Sequence, residues 1–373
     1  MVGIVVFAVA ALAVVIYFLS NGFPASPPEQ RALFPVSVKG ALGYIDATGQ
    51  VVIQTTFASG DRFSQGLAAV ARRASDGGSR WGFIDSAGKV AVEADLAEAQ
   101  DFSEDLAAVK LTTDEGWAYV NRRGKVLFTM SYSWAHPFSE GFAAVGRTNK
   151  DGSVRWGFID KNGTTVIAPQ FESAGDFHDG LAVAGVAGKY GYVDTAGNWT
   201  IDPIYTEAGD FSEGLAAVTE DDSNHKTTAG YIDRTGRTVI APAFLSAEEF
   251  HEGLAAVCTK DNPILLGYID NTGTMVIQPA FNQANDFSDG LAAARSIDGD
   301  WGYIDKTGTF VIPPKYFGPD RFEGPSAFSG GVAEVYLQIV GGTMMTEGQT
   351  STVSYAYLDK TGAVLWQGQA TSP

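Results

Sequence analysis

Cysteine is nearly absent: Cys258 is the single one in 373 residues, which excludes an intramolecular disulfide. It follows Leu254-Ala255-Ala256-Val257 and takes a small-residue position, where burial is the expected role. Histidine is scarce too, with four residues. His178 and His251 occupy one and the same repeat position in different copies, so repeat substitution explains them better than catalysis. No metal-ligand spacing, nucleophile elbow or phosphate-binding glycine motif occurs. No catalytic residue, cofactor or metal is therefore expected, and the chain reads as a non-enzyme. Positive charge is short as well. Against 43 acidic residues stand 25 basic ones, for a net charge of −18, which argues against nucleic acid as a partner, since phosphates need a basic footprint.

What the chain has is one phrase, many times over. Trp301-Gly302-Tyr303-Ile304-Asp305-Lys306-Thr307-Gly308 has relatives starting at Leu42, Trp81, Trp117, Trp156, Tyr190, Ala229, Leu266 and Tyr355. A second phrase, Phe211-Ser212-Glu213-Gly214-Leu215-Ala216-Ala217-Val218, alternates with it. From Leu42 to Trp301 the spacing is 34–39 residues, the mark of an array of supersecondary units.

The aromatic and β-branched start of the first phrase favours a strand. Asp305-Lys306-Thr307-Gly308 fits a type I turn whose Asp accepts backbone N–H groups two residues on and whose Gly takes a left-handed bulge. Asp85 and Asp160 hold the same place in other copies. Thr309–Ile312 returns as the next strand, and Pro313 should end it, as should Pro169, Pro203, Pro242 and Pro279 in theirs. The acids of the second phrase (Glu104, Glu140, Asp179, Glu213, Glu252, Asp289) are read as capping their own turns. Each unit becomes a three-stranded antiparallel meander, and nine fit in the chain. Both faces of these strands are apolar, so successive meanders should stack face to face. The expectation is all-β: tandem meanders forming a propeller-like ring or an open superhelical stack, preceded by one N-terminal hydrophobic helix.

Val2 to Leu19 is an uncharged apolar run, long enough to span a bilayer and long for a signal peptide. Residues 1–20 read as a signal anchor or cleaved signal peptide, 21–30 as a Pro-rich spacer, 31–368 as the nine-unit repeat domain and 369–373 as a tail. Arg31 and Lys39 would weakly retain the flanking side in the cytoplasm, but long domains translocate regardless of such charges. Export is favoured: membrane-anchored with the repeats outside, or secreted if cleaved.

Variation concentrates between the first and second strands, as in Ala71–Arg80, Gly146–Arg155 and Tyr336–Ser354. These loops should share one rim, where binding surfaces are usually built. Arg72, Arg73, Arg80, Arg147, Lys150 and Arg155 are the candidate interaction residues. Hairpin tips that merely tolerate change give the same pattern. Trp81, Trp117, Trp156 and Trp301 share one repeat position. Packing between units explains them, since Leu42 and Leu266 also fill it; exposed, they could stack on sugar rings. A hydrolase in the Tyr336–Ser354 insertion would lack His and Cys.

Trp-Gly-Tyr-Ile-Asp-Lys-Thr-Gly, followed by Val-Ile-x-Pro and later Phe-Ser-Glu-Gly-Leu-Ala-Ala-Val, resembles the WG-containing repeat family of bacteria over nearly the whole chain after the leader. Leu42, Tyr190, Ala229, Leu266 and Tyr355 depart from its Trp. The resemblance implies an all-β repeat scaffold, commonly exported or surface-associated, with an interaction role and no catalytic residues. The expected function is a non-catalytic scaffold for an envelope protein partner, bound through the variable loops; the alternative is a carbohydrate- or peptidoglycan-binding module.

Overall fold

The computed structural model describes residues 32–38, 40–111, 116–221, 227–260, 264–317, 324–340 and 352–371. The expected N-terminal helix, the whole 21–30 spacer, Arg31, Lys39 and much of the Tyr336–Ser354 insertion lie outside the described residues. Among those described, all regular structure is antiparallel β, and no helix is long and apolar enough to cross a membrane.

The eighth unit shows the plan. Its strands are Gln283–Ala284, Ala292–Arg295, Trp301–Ile304 and Phe310–Tyr316, paired in sequence order. The expected meander is present with a fourth, two-residue strand ahead of it. Units four to seven have this four-stranded form, while the first (Leu33–Val38, Ala41–Asp46, Val51–Phe57) and the ninth (Val332–Val340, Thr352–Asp359, Val364–Thr371) have three strands. Units two and three share one seven-stranded sheet because Val90–Ala99 belongs to both: Leu96 pairs with Trp81 on one side and Leu111 on the other.

The first turn follows from its residues. Asp305 Oδ1 accepts the N–H groups of Thr307 (2.9 Å) and Thr309 (3.1 Å). Gly308 stands at φ +82° and donates to the Asp305 carbonyl. Asp85, Asp160 and, in the third copy, Asn121 accept the same two donors.

The prolines correct the expectation that they end the strand. Phe310–Tyr316 runs straight through Pro313 and Pro314. It is an outermost strand, so its unpaired side has no ladder bond for Pro to break. Pairing goes from Tyr303↔Ile312 to Trp301↔Tyr316, so Pro313, Pro314 and Lys315 together face Gly302. This bulge explains the glycine after Trp81, Trp156 and Trp301. A Cβ on Gly302 would lie 2.5 Å from the Ile312 carbonyl oxygen and 2.8 Å from Pro314 N, both backbone. The third and ninth copies carry Ala118 and Ala356 instead. There no residues are inserted opposite the alanine: Thr129↔Ala118 follows directly on Phe128↔Tyr119, and Gln367↔Ala356 on Trp366↔Tyr357, and neither strand contains Pro. Glycine accompanies the bulge, and alanine accompanies its loss.

No unit buries its faces alone. Leu291, Ala293 and Tyr303 of unit eight cluster with Phe328, Ala333 and Val335 of unit nine, and similar two-unit clusters join units one to eight in sequence. At each of these eight interfaces a Tyr or Phe of one unit meets the Phe of the next unit's second phrase, with ring centroids 4.7–5.0 Å apart. Such a pair adds about 0.5–1.5 kcal/mol beyond area burial. Where the residue is Tyr, its hydroxyl donates to a carbonyl of the next unit, as Tyr303 does to Ser326 (2.7 Å) and Tyr231 to Glu248 (2.7 Å). The same bond links the ninth unit to the first. Tyr357 donates to the Pro35 carbonyl (2.6 Å), packs against Phe34 at 5.7 Å, and Ser37 N–H donates to the Tyr355 hydroxyl.

The second phrase makes a two-residue hairpin turn with both central residues at positive φ: Asp289 at +54° and Gly290 at +82°. Its acid does not cap its own turn, contrary to expectation. Asp289 Oδ2 accepts the N–H of Gly331, in the next unit's turn (2.8 Å), and Glu104, Glu140, Asp179, Glu213 and Glu252 each accept from the equivalent glycine one unit on. The left-handed backbone aims the carboxylate outward, away from its own N–H groups. The adjacent Ser also reaches forward, Ser288 Oγ donating to the Phe328 carbonyl (2.7 Å).

Candidate interaction surface

The candidate cations sit on the extended hairpins of units two and four. In unit two, Arg72 in Leu67–Arg73 lies directly opposite Arg80 in Ser79–Asp85. In unit four, Arg147 in Phe142–Thr148 lies opposite Arg155 in Val154–Asp160. Like charges placed so are mutually destabilising, so folding gains nothing from either pair. Arg80 pairs with Asp76 at 2.6 Å, and Arg155 reaches Glu172 at 4.0 Å. Arg72, Arg73, Arg147 and Lys150 are exposed. The Arg72 guanidinium lies over the Phe57 ring at 5.4 Å and that of Arg147 over Tyr132 at 5.2 Å. Stacking holds these flexible side chains in place while their donors face solvent.

The sequence reading missed what lies between them. In unit three Lys110 sits over the Trp117 ring at 4.9 Å and pairs with Glu98 at 2.6 Å. Trp117 and Tyr132 line a cavity of about 530 Å³, with Leu111, Met130 and Ser131 around it. It lies where the bulge is lost. With Ala118 in place of glycine, Val126–Thr129 is short, and Met130 N–H closes on the Trp117 carbonyl (2.8 Å) before the chain turns away. The sign was legible as a copy lacking both Gly and Pro.

The tryptophans divide. Trp117 and Trp301 are buried at 5% and 3% exposure, so the unit interfaces absorb them. Trp81 and Trp156 are half-buried, and Trp156 meets the His136 ring edge-on at 4.9 Å.

A second grouping joins residues 32–40 positions apart. His136 Nδ1 lies 3.0 Å from Asp176 Oδ1, His178 Nε2 3.6 Å from Asp210 Oδ2, and His251 Nε2 3.4 Å from Asp286 Oδ2. His178 and His251 do hold the Ser position, but each faces a carboxylate of the following unit rather than a carbonyl. Burial pushes Asp210 up to about 6; His178 opposes the rise, and Glu249 and Asp176 add to it. Burial also raises Asp286 and Glu248, which line a cavity of about 440 Å³. Among the described residues no group of three or more His, Cys, Asp or Glu could hold a metal ion. Cys258 is free and buried, and burial raises its thiol pKa.

The fold and its repeating interfaces define an all-β tandem-repeat protein in which each unit is completed by its neighbours. The chain belongs to the WG containing repeat family, whose profile matches residues 43–72, 81–112, 117–150, 156–190, 190–222, 230–262, 267–299 and 301–316. The ninth copy, without Trp or Gly at its start, falls outside these matches yet folds alike. No curated protein matches the chain in sequence. Among solved structures, a eukaryotic initiation factor is similar over 82% of this chain and 96% of its own, at 11% identity and a TM-score of 0.44. A TolB protein from Agrobacterium tumefaciens is similar over 66% of this chain and 85% of its own, at 12% identity and a TM-score of 0.29. Superpositions this loose assign nothing to the chain.

Proposed function

We propose that this protein is a non-catalytic scaffold that binds another protein through the hairpins of units two to four. The observation that carries the reading is the pair of Arg–Arg hairpins, in which exposed Arg72 and Arg147 rest on aromatic faces with no carboxylate partner among the described residues. We place the protein at the bacterial envelope, held by residues 1–20 with the repeats exported. The apolar run Val2 to Leu19 supports this, and protease digestion of the repeats from outside intact spheroplasts tests it. A glycan reading needs open indole faces; Trp301 is buried at 3% exposure, and Trp134, 53% exposed, is the indole such a reading would use.

The scaffold is a closed, propeller-like ring of nine units. Support comes from the ninth-to-first contact, where Tyr357 and Phe34 repeat the hydroxyl-to-carbonyl bond and ring pairing of the other interfaces. A ring leaves no end unit needing a polar cap.

The decisive experiment replaces residues 72–80 and 147–155 with the tight turn of unit five, Val186-Ala187-Gly188-Lys189. The expected result is a folded protein with native circular dichroism that no longer captures its partner from an envelope extract. Undiminished capture by that variant overturns the reading.

A further inference from the structure

The chemistry of the partner follows from what the rim gathers. Seven of the chain's 25 basic residues (Arg72, Arg73, Arg80, Lys110, Arg147, Lys150, Arg155) lie on the hairpins of three consecutive units, in a protein of net charge −18. Two of them flank one cavity: Lys110 stands over Trp117 and Arg147 over Tyr132, and both rings are walls of the same 530 Å³ space. Lys110 is already committed to Glu98. Arg147 has no carboxylate within ion-pair distance among the described residues, and neither does Lys150. A cavity with two aromatic walls, each ring carrying a cation over it, is suited to an apolar side chain that has carboxylates beside it.

We propose that the occupant is an acidic peptide segment of the partner protein. One apolar side chain seats between Trp117 and Tyr132, and flanking carboxylates pair with Arg147 and Lys150, with Arg72 and Arg73 of unit two extending the contact. This rests on the scaffold reading above and adds the partner's chemistry. A nucleic acid or an anionic lipid surface fits less well. Each needs a continuous basic footprint, and here Asp76, Glu98, Asp151 and Glu172 interrupt it.

The test uses the full chain and four fluorescein-labelled octapeptides: acidic with a central Leu-Phe pair, acidic with Ala-Ala there, basic with Leu-Phe, and neutral with Leu-Phe. Anisotropy is read at low and at physiological salt. Duplex DNA and vesicles containing phosphatidylserine are run beside them. The acidic Leu-Phe peptide should bind best and weaken with salt. Arg147→Glu and Lys150→Glu should each weaken it about ten-fold. Ser131→Trp, which fills the cavity, should abolish the advantage of Leu-Phe over Ala-Ala. Lys189→Glu, outside the strip, should leave binding unchanged. Preference for the neutral or basic peptide, lost in the hairpin-exchange variant, overturns the acidic partner while sparing the scaffold reading. Peptide binding that survives hairpin exchange sinks both. Equal binding of DNA or vesicles, reversed by Arg147→Glu, overturns the peptide assignment.

Discussion

Replacing Gly302 by Ala should be costly for a reason unrelated to glycine's flexibility. The new Cβ would sit 2.5 Å from one backbone atom and 2.8 Å from another, contacts that no side-chain rotation relieves. The strand Phe310–Tyr316 must move, and the pairing of Trp301 with Tyr316 moves with it. Overpacking of this kind costs about 1–3 kcal/mol, and the rigid backbone on both sides puts the expectation at the upper end. Gly290→Ala is the contrast. Its added Cβ meets nothing within 4 Å, but its φ of +82° strains an L residue, for a cost of about 1 kcal/mol. The decisive variant couples Gly302→Ala with deletion of Pro313 and Pro314, which removes the bulge and imitates the regular pairing around Ala118 and Ala356. Stability should then recover in large part. Urea unfolding followed by tryptophan fluorescence, with hydrogen exchange at Ile312, reads all three. A loss under about 0.5 kcal/mol for Gly302→Ala, or no recovery on deleting the prolines, refutes the coupling of glycine to bulge.

Glu213→Ala should cost about 2 kcal/mol, because it loses the charge-assisted bond to Gly253 N–H while the left-handed strain at φ +53° stays; Glu213→Gly loses the same bond but relieves the strain and should cost much less, as thermal unfolding of the pair will show. Tyr357→Phe and Tyr231→Phe each remove one hydroxyl-to-carbonyl bond between units, and each should lower stability by about 1 kcal/mol. If Tyr357→Phe is silent while Tyr231→Phe is not, the ninth-to-first contact contributes nothing. Asp210 has a folded pKa of about 6 against 3.8 unfolded, so the folded state binds the extra proton. Its contribution is most favourable below about pH 4 and is lost as pH rises through about 6. Asp210→Asn should flatten that part of the stability profile and stabilise the protein at pH 7 by about 1–2 kcal/mol, after allowance for partial exposure. The first-turn aspartates have the opposite sign. Hydrogen bonds from Thr235 and neighbouring backbone hold Asp233 down to about 2, so the stability it confers is present above pH 4 and lost as pH falls towards 2. Asp233→Ala should weaken that acid limb in a pH series of urea titrations.

Most of the scaffold was legible because each rule was written eight or nine times. The Asp-x-x-Gly turn and the Leu-Ala-Ala-Val strand are local patterns, and a local pattern is what a single sequence displays. The strand Gln283–Ala284 was not legible, since two residues carry no periodicity. The prolines misled because a breaking rule for central strands was applied to an outermost strand, where a bulge accepts them. The forward reach of Asp289 and Ser288, and the facing of His178 with Asp210, depend on contacts one repeat away that only stacking creates. The rim arginines were found as variable-loop residues. The cavity beside them was not, because it lies at an absence, the missing Gly–Pro pair of the third copy.

The rim claim is tested most directly by where a partner touches the protein. A photo-activated crosslinking residue is placed at Arg147 in one variant and at Val239, on the outermost strand of unit six, in another, and both are irradiated in envelope extracts. Crosslinking of one partner from position 147 and none from 239 is the predicted result. Equal yields from both positions, or capture from 239 alone, would contradict it and move the binding surface to the outer edge of the units.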